Sequence, residues 1–391
     1  MVGQRLQQLR LARGLSLETL AAKMGGIVTK QSLSKYENSK ANPSPYVLSK
    51  LAEALNINAS YFFSEPKIRI EYVAYRKSAY LLEKDRKTLK SRINQALEDR
   101  VRILDLMESS KDTSIPIKEF TVLKIEDAET AADKMREKWK LGSAPILNTT
   151  ATIEDNSICV MNISANDDFD GICAIVYDNE GRVRTAALVT RNEIAGERQR
   201  LNLTHELGHL VLNVKNGVDE EKAAFRFGAA FLAPAHKLFQ EVGRKRALIQ
   251  LQELLFLKRQ FGLSMQALIY RMHDLNIINE SYYRQWFTRI NQCGWKKKEP
   301  EEWTFETSYW LQRNVLRLIA EGILSQIEAE RIIGEKLALD IPASVIERRA
   351  FLKLPLDKRR RILADQASSI VQYYKQNNEW VDVEGGDVIE Y

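Results

Sequence analysis

The stretch Leu203 to Leu210, LTHELGHL, holds two of the chain's four histidines, four positions apart. A step of four residues returns to the same face of a helix, so the imidazoles of His205 and His209 point at one place. Zn²⁺ takes such nitrogens readily and favours four-coordinate geometry. Glu206 lies one position further round, where a carboxylate can take a proton from a water held at the cation. The five residues therefore supply two ligands and a base. They also constrain the fold: the helix carrying them must present this face to a second element, because a third protein ligand has to come from elsewhere.

The best source is Asp219 to Pro234, DEEKAAFRFGAAFLAP. Ala223, Ala224, Phe227, Ala230 and Phe231 fall three or four apart, which predicts a helix with one buried face. Glu220 and Glu221 lie in its first turn, and either could face the metal. His236 and His273 read as surface or helix-packing residues.

At 391 residues, two or three domains are expected. With 45% hydrophobic and 28% charged residues the composition is that of a globular protein, and low Gly and Pro counts (18 and 9) favour long helices. No apolar run reaches the length of a membrane span and no secretory segment follows Met1, so a cytoplasmic protein with no membrane partner is expected. Three scattered cysteines suit a reducing compartment and exclude a zinc knuckle. The net charge is +6, and its location matters more than its size. Residues 1–65 carry eight Lys/Arg against four Asp/Glu, so most of the surplus sits in one sixth of the chain. That is the footprint of a nucleic-acid-binding head.

Residues 2–64 read as five short helices. Ser16 and Thr29 are N-caps, and glycines end the second helix. A helix, a turn with glycine, and a second helix rich in small polar and basic residues make a helix-turn-helix. The helix from Lys30 would lie in the major groove of double-stranded operator DNA. Thr29, Lys30, Gln31, Ser32, Ser34 and Lys35 are the candidate contacts to bases and phosphates, with Leu33 and Tyr36 facing the core. RLQQLRLARGLSLETLAAKMG, SLSKYENSKANPSPYVLSKLAEALN and YFF resemble the Cro/C1-type (Xre-family) helix-turn-helix. Leu17 stands where many relatives carry a DNA-touching glutamine, which weakens the case for contacts from the second helix.

Ile68 to Arg76 alternates as a strand or an extended linker would. A charged helix from about Tyr80 to Met107 follows, with a stripe of Leu82, Leu89, Ile93, Leu97, Val101 and Leu104 that could pack in cis or form a homodimer contact. The helix EDAETAADKMREKWKLG ends at Gly142. Three strand-like segments, ICVMNI, GICAIVYD and RTAALVT, then predict a small antiparallel sheet leading into the His-Glu-x-x-His helix.

AADKMREKWKLGSAPI, FDGICAIV, ERQRLNLTHELGHLVLN, EEKAAFRFGAAFLAP and LKRQFGLSMQALIYRM resemble the ImmA/IrrE family of bacterial metallopeptidases over roughly residues 120–280. The resemblance implies a zincin-like minimal peptidase. It selects Glu221 over Glu220 as third ligand, through Glu-x-x-Ala-x-x-Phe-Ala, with Gly228 in place of the last alanine. It also implies a second helix-turn-helix-like unit at about 245–280 that packs on the peptidase. After CGWKKKEPEEW, read as a polar linker, come helices with a stripe of Val315, Ile319, Ile323, Ile327 and Ile332. The last forty residues faintly resemble the tails of small antitoxins. They are expected to form a helical cap or a segment that docks a toxin or another protein.

The expectation is thus a mainly α, α+β chain. A five-helix head occupies 1–65, a linker with a long helix 66–115, a metallopeptidase domain 116–292 and a helical region 293–391. The functional expectation is a DNA-binding transcriptional regulator with zinc endopeptidase activity. Family resemblance implies a protein substrate, a helix-turn-helix repressor cut in a stress, phage or mobile-element response. The competing reading is a repressor or antitoxin whose zinc fold is a sensor or scaffold. No carboxylate cluster suited to Mg²⁺ supports a nuclease.

Overall fold

The head begins with α1 (Val2–Ala12), α2 (Leu17–Lys23), α3 (Lys30–Glu37) and α4 (Pro45–Ala54), and closes with a 3₁₀ turn at Ala59–Phe63. This is a computed structural model, and it describes residues 2–63, 68–73, 83–107, 115–164, 169, 171–337 and 351–376. Local chemistry sets the helix starts: the side chains of Ser16, Thr29 and Ser44 accept from the backbone N–H three residues on. Leu6, Leu9, Leu20, Leu33, Leu51 and Phe62 fill a separate small core.

Ile68–Tyr72 is a strand, β1, and not a linker. It pairs antiparallel with β4 (Gly171–Asp178), at the edge of a sheet ordered β1-β4-β5-β3, where β3 is Ile158–Ile163 and β5 is Val183–Arg191. The sheet is mixed, which corrects the expected antiparallel one: β4 and β5 are antiparallel, but β3 runs parallel to β5. The chain skips one place after β3 and fills it on the way back with β5. A strand in that central position is buried on both faces, as the unbroken run Thr185 to Thr190 is.

The sheet has apolar residues on both faces because helices cover both. On one side α5 (Glu83–Leu106) lays Leu89, Ile93, Leu97 and Val101 on Ile172, Ala174, Val176, Ala187 and Val189. The described part of this stripe therefore packs in cis. Its reverse side holds the head: Glu98 accepts from Arg5 Nη1 at 2.8 Å and from Tyr61 Oη at 2.7 Å. On the other side of the sheet lie α6 (Asp127–Lys138), α8 (Gly196–Val211) and α9 (Glu220–Leu232). Leu203, Leu207 and Leu210 of α8 are fully buried there, each stabilising the fold by about 1.5–3 kcal/mol. Between α6 and β3 a short helix, α7 (Thr149–Asp155), is capped by Asn148. At the end of α8, β6 (Leu212–Val214) pairs parallel with β2 (Phe120–Val122), which precedes α6.

After α10 (Ala235–Val242), the unit α11 (Leu251–Phe261) and α12 (Met265–Asp274) buries Leu254, Leu257, Phe261, Leu268, Ile269 and Met272 in the same core as α8. Its apolar face is thus used for packing. Beyond α13 (Glu280–Gln292) the expected polar linker is a strap. Glu299 accepts from Lys258 Nζ at 2.6 Å, Trp303 N donates to Glu197 at 3.0 Å, and Glu306 N donates to Gln199 at 2.8 Å. Its charges reach inward because buried partners from α8 and α11 wait for them, which local polarity cannot reveal.

The tail helices α14 (Trp310–Ala320) and α15 (Gln326–Ile333) pack on Ile103 of α5. Val315, Ile319 and Ile332 are buried as expected, but Ile323 and Ile327 are exposed. The chain turns at Gly322 (φ +72°), which resets the helical phase and brings in Leu318 and Leu324 instead. Arg359, Arg360 and Arg361 lie on α16 (Leu356–Gln376). The start of the striped helix before Glu83, most of the turn NDDFDG and the acidic end after Gln376 lie outside the described residues. Among the described residues no helix is long and apolar enough to cross a membrane.

Candidate metal centre

Helix α8 brings His205 and His209 to one face, as their spacing requires, and α9 packs across it. Their Nε2 atoms stand 3.1 Å apart, with the rings perpendicular. Glu221 closes the third side, with Oε2 3.5 Å from His205 Nε2 and Oε1 3.4 Å from His209 Nε2. The three residues form a group able to hold a metal ion, with ligand atoms all within 4.8 Å of one another. Of the two candidate glutamates, Glu221 is the one in this group. Glu220 faces the rear of His209, 3.6 Å from Nδ1, and also meets Lys118 Nζ at 3.4 Å.

The donor set fits a divalent ion. Two imidazole nitrogens converge with a carboxylate, a combination that suits zinc and its neighbours. Both Nδ1 atoms are buried without a hydrogen-bond partner. Burial, and then the neighbouring His205 ring, pull His209 down to about 4 against the opposing pull of Glu221 and Glu220. The ring is thus neutral at pH 7 and keeps a lone pair for a cation.

Glu206 is buried beside the histidines. It lies against the start of β4, where a Cβ on Gly171 would come within 2.6 Å of its Oε1. Only glycine leaves that space. At Gly228 the fit is tight but less severe: a Cβ there would stand 3.0 Å from His205 N and from Thr204 Oγ1. Cys173 lies near Glu206, but burial pushes its thiol well above the ordinary range, so it stays protonated. Phe225 lies tilted against His205, with ring centroids 4.0 Å apart and planes 37° from parallel. Lys118, Gly171 and Phe225 were not expected from sequence. Phe225 carried a signal, lying one turn beyond Glu221 on the same helix; Lys118 is too distant in the chain to carry one. The remaining histidines stay away from the centre: His236 is exposed, and His273 pairs with Glu280 at 2.8 Å.

In the head, Lys30, Gln31 and Lys35 are exposed on α3, with Ser32 and Ser34 half-buried between them. Leu33 is buried in the core, and Tyr36 packs against it. Thr29 caps the helix through Ser32 N at 3.2 Å, and Lys30 pairs with Glu18 of α2. A buried pair tightens this unit: Arg10 Nη2 donates to Glu37 Oε2 at 2.8 Å.

Comparison with protein families gives two matches. A helix-turn-helix family matches residues 6–62, and a peptidase family described as the IrrE N-terminal-like domain matches residues 177–273. The second span contains His205, Glu206, His209 and Glu221. No curated protein matches the chain.

Proposed function

We propose that this chain, which joins an Xre-type helix-turn-helix DNA-binding domain to a metallopeptidase-family domain, is a transcriptional regulator with zinc-dependent endopeptidase activity. The observation that carries this reading is the convergence of His205, His209 and Glu221 on one point, with Glu206 buried alongside. Those three residues would hold the ion. When bound, Zn²⁺ supplies Lewis acidity, polarising a peptide carbonyl and making water easier to deprotonate. Glu206 receives the proton of the attacking water and passes it to the leaving amine. Glu220 stands 3.6 Å behind Nδ1 of His209, where its negative charge favours a cation-binding ring.

The substrate class is a protein, with a helix-turn-helix repressor as the favoured case. A head on operator DNA raises the local concentration of proteins bound nearby, which lets a weak site be selective. The Thr29–Lys35 surface makes the DNA contacts in this reading. A second reading, sensor or scaffold without turnover, draws support from the burial of His205, Glu206 and His209, each about 5% exposed. The test is incubation of the zinc-loaded chain with the repressor encoded beside it. A discrete cut that disappears in Glu206→Gln, with zinc content unchanged, supports the peptidase. No cut by the unaltered chain, with or without operator DNA, favours the scaffold.

A further inference from the structure

A cleft of 510 Å³ lies where the head, α5 and the α14–α15 pair meet. That volume is within the range of small-molecule sites. Leu15, Ile57, Leu311 and Ile332 give it apolar walls. Four cations line it: Arg13 and Lys23 from the head, Arg92 from α5 and Arg331 from α15. Among the described lining residues the only carboxylate is Asp99, and its Oδ2 already accepts from Gln95 Nε2 at 3.0 Å.

This imbalance has a cost. Arg331 Nη2 is buried and meets no hydrogen-bond partner. Arg13 donates from Nη1 to the carbonyl of Leu9 at 3.1 Å, which leaves most of its fork unused. Burial disfavours the charge on Arg13; Asp99 opposes that effect and Arg331 adds to it. Burial also pushes the Asp99 carboxyl up, with Glu98 adding to it; Glu98 itself lies behind Tyr61 and is already paired with Arg5. A structural ion-pair network matches each buried cation with a carboxylate. Here four cations face one carboxylate inside a concave site, and an unused side-chain acceptor there, Gln95 Oε1, is neutral.

We propose that this cleft binds a small molecule bearing oxyanion groups of charge −2 or more, a phosphate ester or a dicarboxylate. Guanidinium forks match such oxyanions with two parallel hydrogen bonds. Arg13 and Arg331 hold the oxyanion, Arg92 and Lys23 add charge at the rim, and the apolar walls take the organic body. Because the cations come from three parts of the fold, an occupant bonds the DNA-binding head to the rest of the chain. The inference is independent of the metal centre.

The test uses the full zinc-loaded chain at fixed ionic strength, with inorganic phosphate and succinate as probes. Calorimetric titration and thermal unfolding are read together. At least one probe is expected to bind and raise Tm above a chloride control, and the preferred probe tells phosphate from carboxylate. Arg331→Gln and Arg13→Gln are each expected to weaken that binding tenfold or more. Asp99→Asn removes the competing carboxylate and is expected to tighten it, so the idea does not depend on losses alone. Lys35→Gln, on the α3 surface, should leave it intact. Failure of both probes to bind overturns the proposal. So does binding that survives Arg331→Gln but disappears in Lys35→Gln, since the anion would then sit on the head's DNA-facing surface.

Discussion

Replacing Glu306 with alanine tests how the strap holds the helix that carries His205 and His209. Arg200 lies on α8, five residues before His205, and is fully buried. Its guanidinium pairs with Glu306, donates to Ile146 O at 2.7 Å and stacks over Trp303. Glu306 also accepts from Thr150 N at 2.8 Å. Removing the carboxylate leaves a buried cation uncompensated, which costs about 3–5 kcal/mol. The strap supplies its own control: Arg259 and Glu301 pair at 2.7 Å but are 55% and 37% exposed. Glu301→Ala should therefore cost under about 1 kcal/mol. Denaturant unfolding followed by circular dichroism gives both values, and hydrogen exchange at α8 locates the effect. Arg200→Met with Glu306→Leu should recover much of the loss, because the desolvation cost goes with the charges. Equal, small losses for Glu306→Ala and Glu301→Ala would refute the reasoning, since burial would then not be what makes the strap pair matter.

Further outcomes follow from the same geometry. His205→Ala or His209→Ala should each remove most bound metal by elemental analysis, and unchanged zinc in both would defeat the ligand assignment. In the metal-stripped chain His209 has a pKa of about 4 when folded against about 6.5 unfolded. The unfolded state thus binds more protons between those values, and stability should fall as pH drops from 6.5 towards 4. His209→Gln should flatten that slope in a urea titration. Lys35→Ala should weaken operator binding for all sequences and reduce the salt slope by about 1. Gln31→Ala should instead relax sequence preference. Cleavage of a repressor should be faster when both operators share one DNA fragment, and deletion of residues 1–65 should abolish that advantage. Identical rates with linked, unlinked and absent operators would reduce the head to autoregulation.

The sequence by itself determined the features that depend on neighbours a few positions apart. The spacing of His205 and His209 fixes a shared helical face. Ser16 and Thr29 fix helix starts, and the local excess of Lys and Arg marks the head. All of these are encoded within a turn or two of helix, so periodicity and capping reveal them. Tertiary structure alone decided what long-range partners decide. Whether the stripe of α5 met the sheet or a second subunit depended on an apolar sheet face built largely from β4 and β5, about seventy or more positions away. The parallel pairing of β3 with β5 depended on where the returning chain found room. The strap read as a polar linker because Glu299 looks solvated until Lys258, buried and far off in sequence, claims it, as Arg200 claims Glu306 just beyond. Lys118 reaches Glu220 across a hundred residues for the same reason. A charge carries no local sign of its partner, and only the folded chain brings the two together.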